Sequence, residues 1–394
     1  GSASAVPSPD ALEEFRILTS AYSAEFGRGG GAMVNILTRG GTNRFRGSVY
    51  NFLRNDAFDA RNFFAPATAN LTQNQFGGTI GGPIVRDKTF FFTSYEGFRR
   101  KQGVTATSTV MSTIERQGDY TQSPVRPRDP LNSQPFAGGL IPASRIHPIS
   151  SGILRLIPQP NAGRIQLIAV EDGLLDTNQF LIRGDHWLAS KHALTARYFR
   201  QTGNGQKPFG SPPPVNIPGL PYTDRFAIHN AMLGATLTLE PTLLSETRVS
   251  YSRAETLNNS PAYSIDPAAL GFRFPVAGEP NLPSILMTGL TNFGTSWSAD
   301  ALRRDNNMQA QSHLTWITGR HRLKFGTDMF FNRFSNREDS RASGDFSFNG
   351  SLSGVSTTDF LLGEANRFLQ GSRSSVGYFR SNLYQFYVQD DLRV

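Results

Sequence analysis

The stretch "RLKFGTDMFFNRF", Arg322 to Phe334, alternates with a period of two. Leu323, Phe325, Thr327, Met329 and Phe331 share one side of an extended chain, and Arg322, Lys324, Gly326, Asp328 and Asn332 share the other. Successive strand residues point to opposite faces, so the pattern specifies a sheet with one apolar and one polar face. What covers the apolar face, a second sheet or lipid, decides the fold.

Working outward, the same alternation recurs. "NLYQFYVQDDLRV" sets Tyr384, Phe386, Val388, Leu392 and Val394 against Gln385, Gln389, Asp391 and Arg393, with Asp390 breaking the apolar side. "FLIRGDHW" opposes Phe180 and Ile182 to Arg183 and Asp185, and "HALTARYF" opposes Leu194, Ala196 and Tyr198 to Thr195 and Arg197. "SETRVSYSR" opposes Val249 and Tyr251 to Glu246, Arg248 and Ser250. Ten strands follow, over Gly47–Arg54, Gln75–Pro83, Thr89–Gly97, Gln179–Leu188, His192–Gln201, Phe226–Leu239, Leu243–Ala254, Asn307–Ile317, Arg320–Phe334 and Tyr378–Val394.

The connections discriminate between lipid and a second sheet. Tight joins at Val85–Lys88, Ala189–Lys191, Glu240–Thr242 and Thr318–Gly319 take turns with long joins rich in Pro, Gly, Asn and Ser. A soluble meander meets the same water at both ends and has no reason to sort its loops. An outer-membrane barrel has short turns on one side and long loops on the other, and loops this long are uncommon in compact soluble domains. The expectation is therefore all-β: part of a transmembrane antiparallel barrel. Tyr95, Phe98, Trp187, Tyr251 and Trp316, near strand ends, are candidates for interface girdles. "TTDFLLGEANRF", Thr357 to Phe368, reads as a short helix within a long loop.

Composition agrees. Aromatic residues reach 11%, with 30 Phe, too many for a disordered chain, while 38 Gly and 24 Pro favour turns over helices. No apolar run is long enough for a membrane-spanning helix, which leaves a strand-built span open. The start, "GSASAVPSPD", has no basic and then apolar leader. Cysteine is absent, so disulfides and thiolate metal sites are excluded. The net charge of +8 is spread without blocks of like charge, and no nucleic-acid surface is expected.

The stretch "AEFGRGGGAMVNILTRGGTN", Ala24 to Asn43, resembles a phosphate loop only superficially. It lacks the G-x-x-x-x-G-K-[ST] lysine, and strand-like "MVNILT" follows where a dinucleotide site needs a helix. Six histidines stand singly without carboxylates at a metal spacing, and no nucleophile elbow occurs. No catalytic residue, metal site or cofactor is assigned, and an enzyme is not expected.

"YSAEFGRGGGAMVNILTRGGTNRFRGSVYNFLRNDAFDARNFF" and "NQFGGTIGGPIVRDKTFFFTSYEGFR" together resemble the plug-to-barrel junction of TonB-dependent outer-membrane receptors. The likeness is to the Oar-like branch, whose members often carry an N-terminal carboxypeptidase-regulatory-like domain. "LYQFYVQDDLRV" and "TTDFLLGEA" resemble barrel segments of the same branch. The resemblance implies a plugged barrel of about 22 strands in the outer membrane of a Gram-negative bacterium. Its partners would be outer-membrane lipid, the TonB complex and a substrate, with iron chelates, cobalamin, glycans and peptides among those the family handles.

On that template residues 1–46 are the C-terminal part of a plug domain, and residues 47–394 are the N-terminal portion of the barrel with long extracellular loops. The plug-end motif comprises Glu25, Gly27, Arg28, Gly30, Gly31, Asn35, Thr38 and Gly41. Candidate lumen-facing residues are Arg183, Arg197, Arg248, Arg322 and Lys324, either contacts for anionic solutes or partners of Asp185, Glu246 and Asp328. The family's TonB box, leader, most of the plug and about a dozen strands have no counterpart here. The expectation is a fragment with two open sheet edges that neither transports nor folds stably alone. Two other readings stay open: a non-energised barrel acting in adhesion or surface docking, and a soluble β-rich carbohydrate-binding module.

Overall fold

The computed structural model describes residues 6–18, 24–26, 33–60, 70–189, 191–210, 217–219, 221–259, 265–276, 281–295, 301–339, 341–371 and 375–393. β1 (Leu12–Leu18) and β2 (Met33–Thr38) form a small antiparallel pair. Then come β3 (Arg46–Asn55), β4 (Leu71–Val85), β5 (Thr89–Thr109), helix α1 (Pro148–Leu156), β6 (Gln166–Ala189), β7 (His192–Lys207), β8 (Tyr222–Glu240) and β9 (Leu243–Asn259). After β10 (Ser284–Met287), β11 (Ala301–Thr318), β12 (His321–Glu338) and β13 (Asp345–Phe348) follow α2 (Ser356–Leu362), β14 (Arg367–Leu369) and β15 (Ser375–Leu392).

Ten of these strands form one antiparallel sheet in the order β3-β4-β5-β6-β7-β8-β9-β11-β12-β15. They are the ten strands expected from sequence, each paired with its sequence neighbour in the wall. The sheet is open: β3 and β15 do not pair with each other among the described residues. At the short turns the expected ends hold to within a residue or two, as at Val85 and Thr89, or Glu240 and Leu243. At the long-loop ends the strands overrun. β5 continues to Thr109 and β6 begins at Gln166, where their backbones pair as far as Thr109 with Gln166. Such extensions have no lipid on either face, so nothing enforces the alternation that marks a strand in sequence.

Register fixes the two faces. Ile182 is level with Tyr198, Tyr198 with Ala231, Ala231 with Tyr251, Tyr251 with Met308, and Met308 with Phe331. This apolar face stands open: Leu233 is 66% and Phe386 74% exposed. Contiguous apolar surface of that extent is untenable in water, and lipid is the solvent that suits it. Tyr95, Tyr251 and Trp316 stand on this face. Phe98, level with Gln75 and Thr177, and Trp187, level with Ala193, fall in register with the opposite, polar face. For those two the girdle expectation is corrected, because closeness to a strand end does not specify a side.

The long loops share a core of their own. Val110, Met111, Tyr120, Ile153, Leu282, Ile285, Phe293, Phe348, Phe360 and Leu361 are buried together. β10, β13 and β14 form a three-stranded sheet beside it. α1 starts with Pro148 at its first turn, and His147 Nδ1 accepts from Ile149 N. The expected helix in "TTDFLLGEANRF" is α2, with Thr357–Leu362 all buried. It ends at Gly363 (φ 77°), where a Cβ would lie 2.8 Å from His147 Cγ, so glycine is required both for the turn and for the approach of α1. Between the helices, His147 N donates to Leu361 O at 2.8 Å, and Ser150 Oγ donates to Phe360 O.

Candidate functional site

The polar face of the ten-stranded sheet carries a segment of the chain's own N-terminal part. Asp10 accepts from Ser48 Oγ of β3 at 3.1 Å. Ala11, fully buried, packs with Phe92, Leu181 and Phe199 of β5, β6 and β7. Further along, the Ala24 amide donates to Gln389 Oε1 of β15 at 3.0 Å, and Lys324 of β12 donates to Glu25 at 2.7 Å. The segment thus touches this face from one edge strand to the other.

The return to the wall is tight. Thr38, 2% exposed, offers its carbonyl to Arg183 Nη1. At Gly41 a Cβ would meet Phe91 O at 2.3 Å and Gly82 O at 2.8 Å, both backbone, so no other residue fits without displacing the sheet. Asn43 then bonds the short β4–β5 turn twice, Nδ2 donating to Asp87 and Oδ1 accepting from the Asp87 amide at 2.9 Å. Asn35 lies exposed on β2 opposite Arg16. Gly27, Arg28, Gly30 and Gly31 lie outside the described residues.

Arg183, Arg197, Arg248, Arg322 and Lys324 share the face that meets this segment, as the register from β6 through β12 requires. Two have the carboxylate partners the sequence offered: Arg183 with Asp185 at 2.8 Å, and Arg248 with Glu246 at a loose 3.8 Å. Lys324 turns to Glu25, while Asp328 accepts from Gln309 and Gln311. Arg197 Nη2 donates to Asn230 at 3.0 Å, and its Nε is buried without a partner among the described residues. Arg322 is exposed near the short-turn end.

Other polar groups of this face went unremarked in the sequence. Tyr50 OH and Gln75 Nε2 both donate to the nearly buried carboxylate of Glu96, at 2.8 and 2.9 Å, and His313 bonds Tyr387 OH at 2.8 Å. The signal available was alternation itself: each lies an even number of residues from an inward neighbour on its strand. Among the described residues no group of three or more His, Asp or Glu side chains is placed to hold a metal ion. The face is suited to gripping a polypeptide segment and lining a polar interior.

A family model described as an outer membrane beta barrel domain matches residues 37–394. The chain is similar to the TonB-dependent transporter Oar of Myxococcus xanthus, at 33% identity over 124 residues, which is 28% of this chain and 12% of that protein. Among solved structures it resembles the outer membrane transporter YddB from Escherichia coli, with a TM-score of 0.53 and 9% identity, covering 96% of this chain and 41% of the other. That likeness is one of fold. A second match is the siderophore receptor PiuA from Acinetobacter baumannii, with a TM-score of 0.46 and 11% identity, over 98% of this chain and 52% of the other. The chain thus corresponds to about half or less of each relative's length, and those relatives are transporters and a receptor, not enzymes. Its place is the outer membrane of a Gram-negative bacterium. The open ten-stranded wall, the apolar outer face and a family match over most of the length make one conclusion: the chain belongs to the outer membrane beta barrel domain family.

Proposed function

We propose that the chain is the plug-to-wall portion of a TonB-dependent receptor that binds a substrate and takes it up with energy supplied through the TonB complex. In this reading residues 1–46 end a plug domain and residues 47–394 begin the barrel. The observation that carries it is the segment held across the polar face by Asp10, Ala11, Glu25 and Thr38. A barrel serving only as a surface platform has no need of a polypeptide gripped inside its wall. In this reading the plug-end residues Glu25, Gly27, Arg28, Gly30, Gly31, Asn35, Thr38 and Gly41 have a structural role and no catalytic one. Arg197 and Arg322, which have no carboxylate partner within ion-pair distance among the described residues, are the proposed contacts for an anionic solute; the substrate class is an iron chelate, glycan or peptide.

The test is uptake by cells carrying the complete protein, with labelled ferric chelates, oligosaccharides and peptides, in strains with and without a functional TonB complex. Accumulation that needs both supports the reading. Accumulation indifferent to TonB overturns energised uptake. A second reading, surface docking, draws on the packed loop core, which presents a folded body at the long-loop end. Cell-surface binding of a macromolecule with no uptake of any of the three solute classes would favour it.

A further inference from the structure

The apolar outer face ends, toward the long loops, in a band of guanidinium groups. Arg200 of β7 is level with His229 of β8, His229 with Arg253 of β9, Arg253 with Asn306 of β11, Asn306 with Arg333 of β12, and Arg333 with Arg380 of β15. Arg304 stands two residues above Asn306 on the same face. All lie on the lipid side, two residues along from Tyr198, Ala231, Tyr251, Met308 and Phe331.

Their height is that of a membrane interface. Arg200, Arg253 and Arg333 lie about eight to twelve residues up their strands from the short turns. At roughly 3.3 Å per residue on strands tilted by about 40°, that is about 20–30 Å, bracketing the apolar band of an outer-membrane barrel. The long-loop end is the outer side, so the band meets the outer leaflet's headgroups.

Charge within the band is not balanced by the protein. One carboxylate, Glu255, accepts from both Arg253 (3.0 Å) and Arg304 (2.7 Å). Among the described residues Arg333 bonds only neutral oxygens, of Asn332 and Asn382, and it directly opposes Arg380. Like charges directly across two strands repel. Arg200 and Arg380 have no carboxylate within ion-pair distance among the described residues. By contrast the outward Lys101 of β5 is paired, with Asp172 at 2.8 Å. Arg99 of β5, also on the outer face, bonds only the neutral oxygens of Phe98, Thr177 and Asn178 among the described residues. Directly opposed arginines, however, occur on this face only where Arg333 meets Arg380, immediately above the apolar surface.

We propose that this outer band, centred on Arg200, Arg253, Arg304, Arg333 and Arg380, binds the phosphate group of an outer-leaflet lipid headgroup. Guanidinium forks match phosphate oxygens bidentately, and a phosphate seated between Arg333 and Arg380 turns their repulsion into a shared attraction. The acyl chains of the same lipid lie along the apolar surface below. Continuity with that surface selects a lipid over a soluble anion.

The test is native mass spectrometry of the protein extracted from outer membranes in mild detergent. Wild type is expected to carry a phosphorylated lipid. Arg333→Gln with Arg380→Gln is expected to lower its occupancy by roughly fivefold per arginine removed, and Arg333→Lys with Arg380→Lys by much less. Unchanged occupancy in the glutamine variant, or equal carriage of an unphosphorylated lipid, overturns the proposal. Should the glutamine variant fail to reach the membrane, wild type in phosphatidylcholine vesicles containing a minor fraction of phosphatidic acid decides the matter. Enrichment of phosphatidic acid around the protein supports the band as a phosphate site, and none overturns it.

Discussion

Lys324 of β12 donates a 2.7 Å hydrogen bond to Glu25, and both side chains are about one-fifth exposed (18% and 20%). A wall strand is thereby tied to a residue 299 positions earlier in the chain. Replacing Lys324 by Met leaves a half-buried carboxylate without its partner, which costs about 1–3 kcal/mol of docking. The expected outcome is faster proteolysis around Glu25 in the purified protein. Reversing the pair, Glu25→Lys with Lys324→Glu, is expected to restore protection. If the single variant is as protected as wild type, the bond does not hold the segment.

Gly41 and Gly152 make a matched comparison. A methyl group at Gly41 runs into the backbone oxygens of Phe91 and Gly82, whereas at Gly152, within α1, it meets Leu270 Cδ2 at an ordinary 3.5 Å. Gly41→Ala is expected to destabilise by about 1–3 kcal/mol or more. Gly152→Ala is expected to be neutral or stabilising by about 1 kcal/mol, since it improves helix propensity. Urea titration of the folded barrel measures both, and equal effects would contradict the close approach at Gly41.

Leu233 lies in mid-band on the outer face and Thr236 on the inner face of the same strand. Leu233→Arg is expected to cost about 2–4 kcal/mol in lipid, with little effect from Thr236→Arg. The amount of each variant recovered in the outer membrane reads the difference. Equal recovery would mean that the two faces are wrongly assigned.

Two carboxylates of the loop body give opposite pH responses. Arg145 grips Asp129 with two bonds, at 2.9 and 3.0 Å, and holds its carboxyl below the ordinary carboxylate range. The stability from that pair is present above the unfolded value of about 4 and is lost as the pH falls through the lowered folded value. Burial pushes the Asp345 carboxyl up, against the pull of Arg341. Its contribution is therefore present below the unfolded value and lost as the pH rises through the raised folded one. Hydrogen exchange of the loop amides between pH 3 and 7, a window set around about 4, is expected to show Asp129→Asn removing acid sensitivity and Asp345→Asn removing the opposite trend.

The wall was legible in the sequence because lipid on one side and a polar interior on the other impose a two-residue period. Leu323 to Met329 displays it, before Phe330 puts an aromatic ring on the polar side, and the turns at Asp87 and Gly319, both with positive φ, punctuate it. The loop body was far less legible. Its buried residues, such as Tyr120, Ile153 and Leu282, have no common period, because each enters the core from a different irregular segment. Only α2, with its consecutive Phe360, Leu361 and Leu362, announced itself. For the inner face, alternation assigned the side of Arg183 and Lys324 but not their partners. The tie from Lys324 to Glu25 depends on how a distant segment folds back, which no local pattern encodes.

The loop body draws its buried side chains from segments as far apart as Val110 and Leu362, and Tyr120 and Thr357, 237 positions apart, share a 2.9 Å hydrogen bond inside it. Residues of one connection, such as Tyr120 and Ile153, can meet locally, but those of different connections, such as Tyr120, Leu282 and Phe360, come together only when the strands between them stand side by side. Contacts so remote in sequence are slow to form, so the joining of the separate connections into one cap follows the registration of the wall. A protease-resistant cap on a newly made chain is therefore a readout of completed strand pairing, and the time lag between the two is a clock for biogenesis.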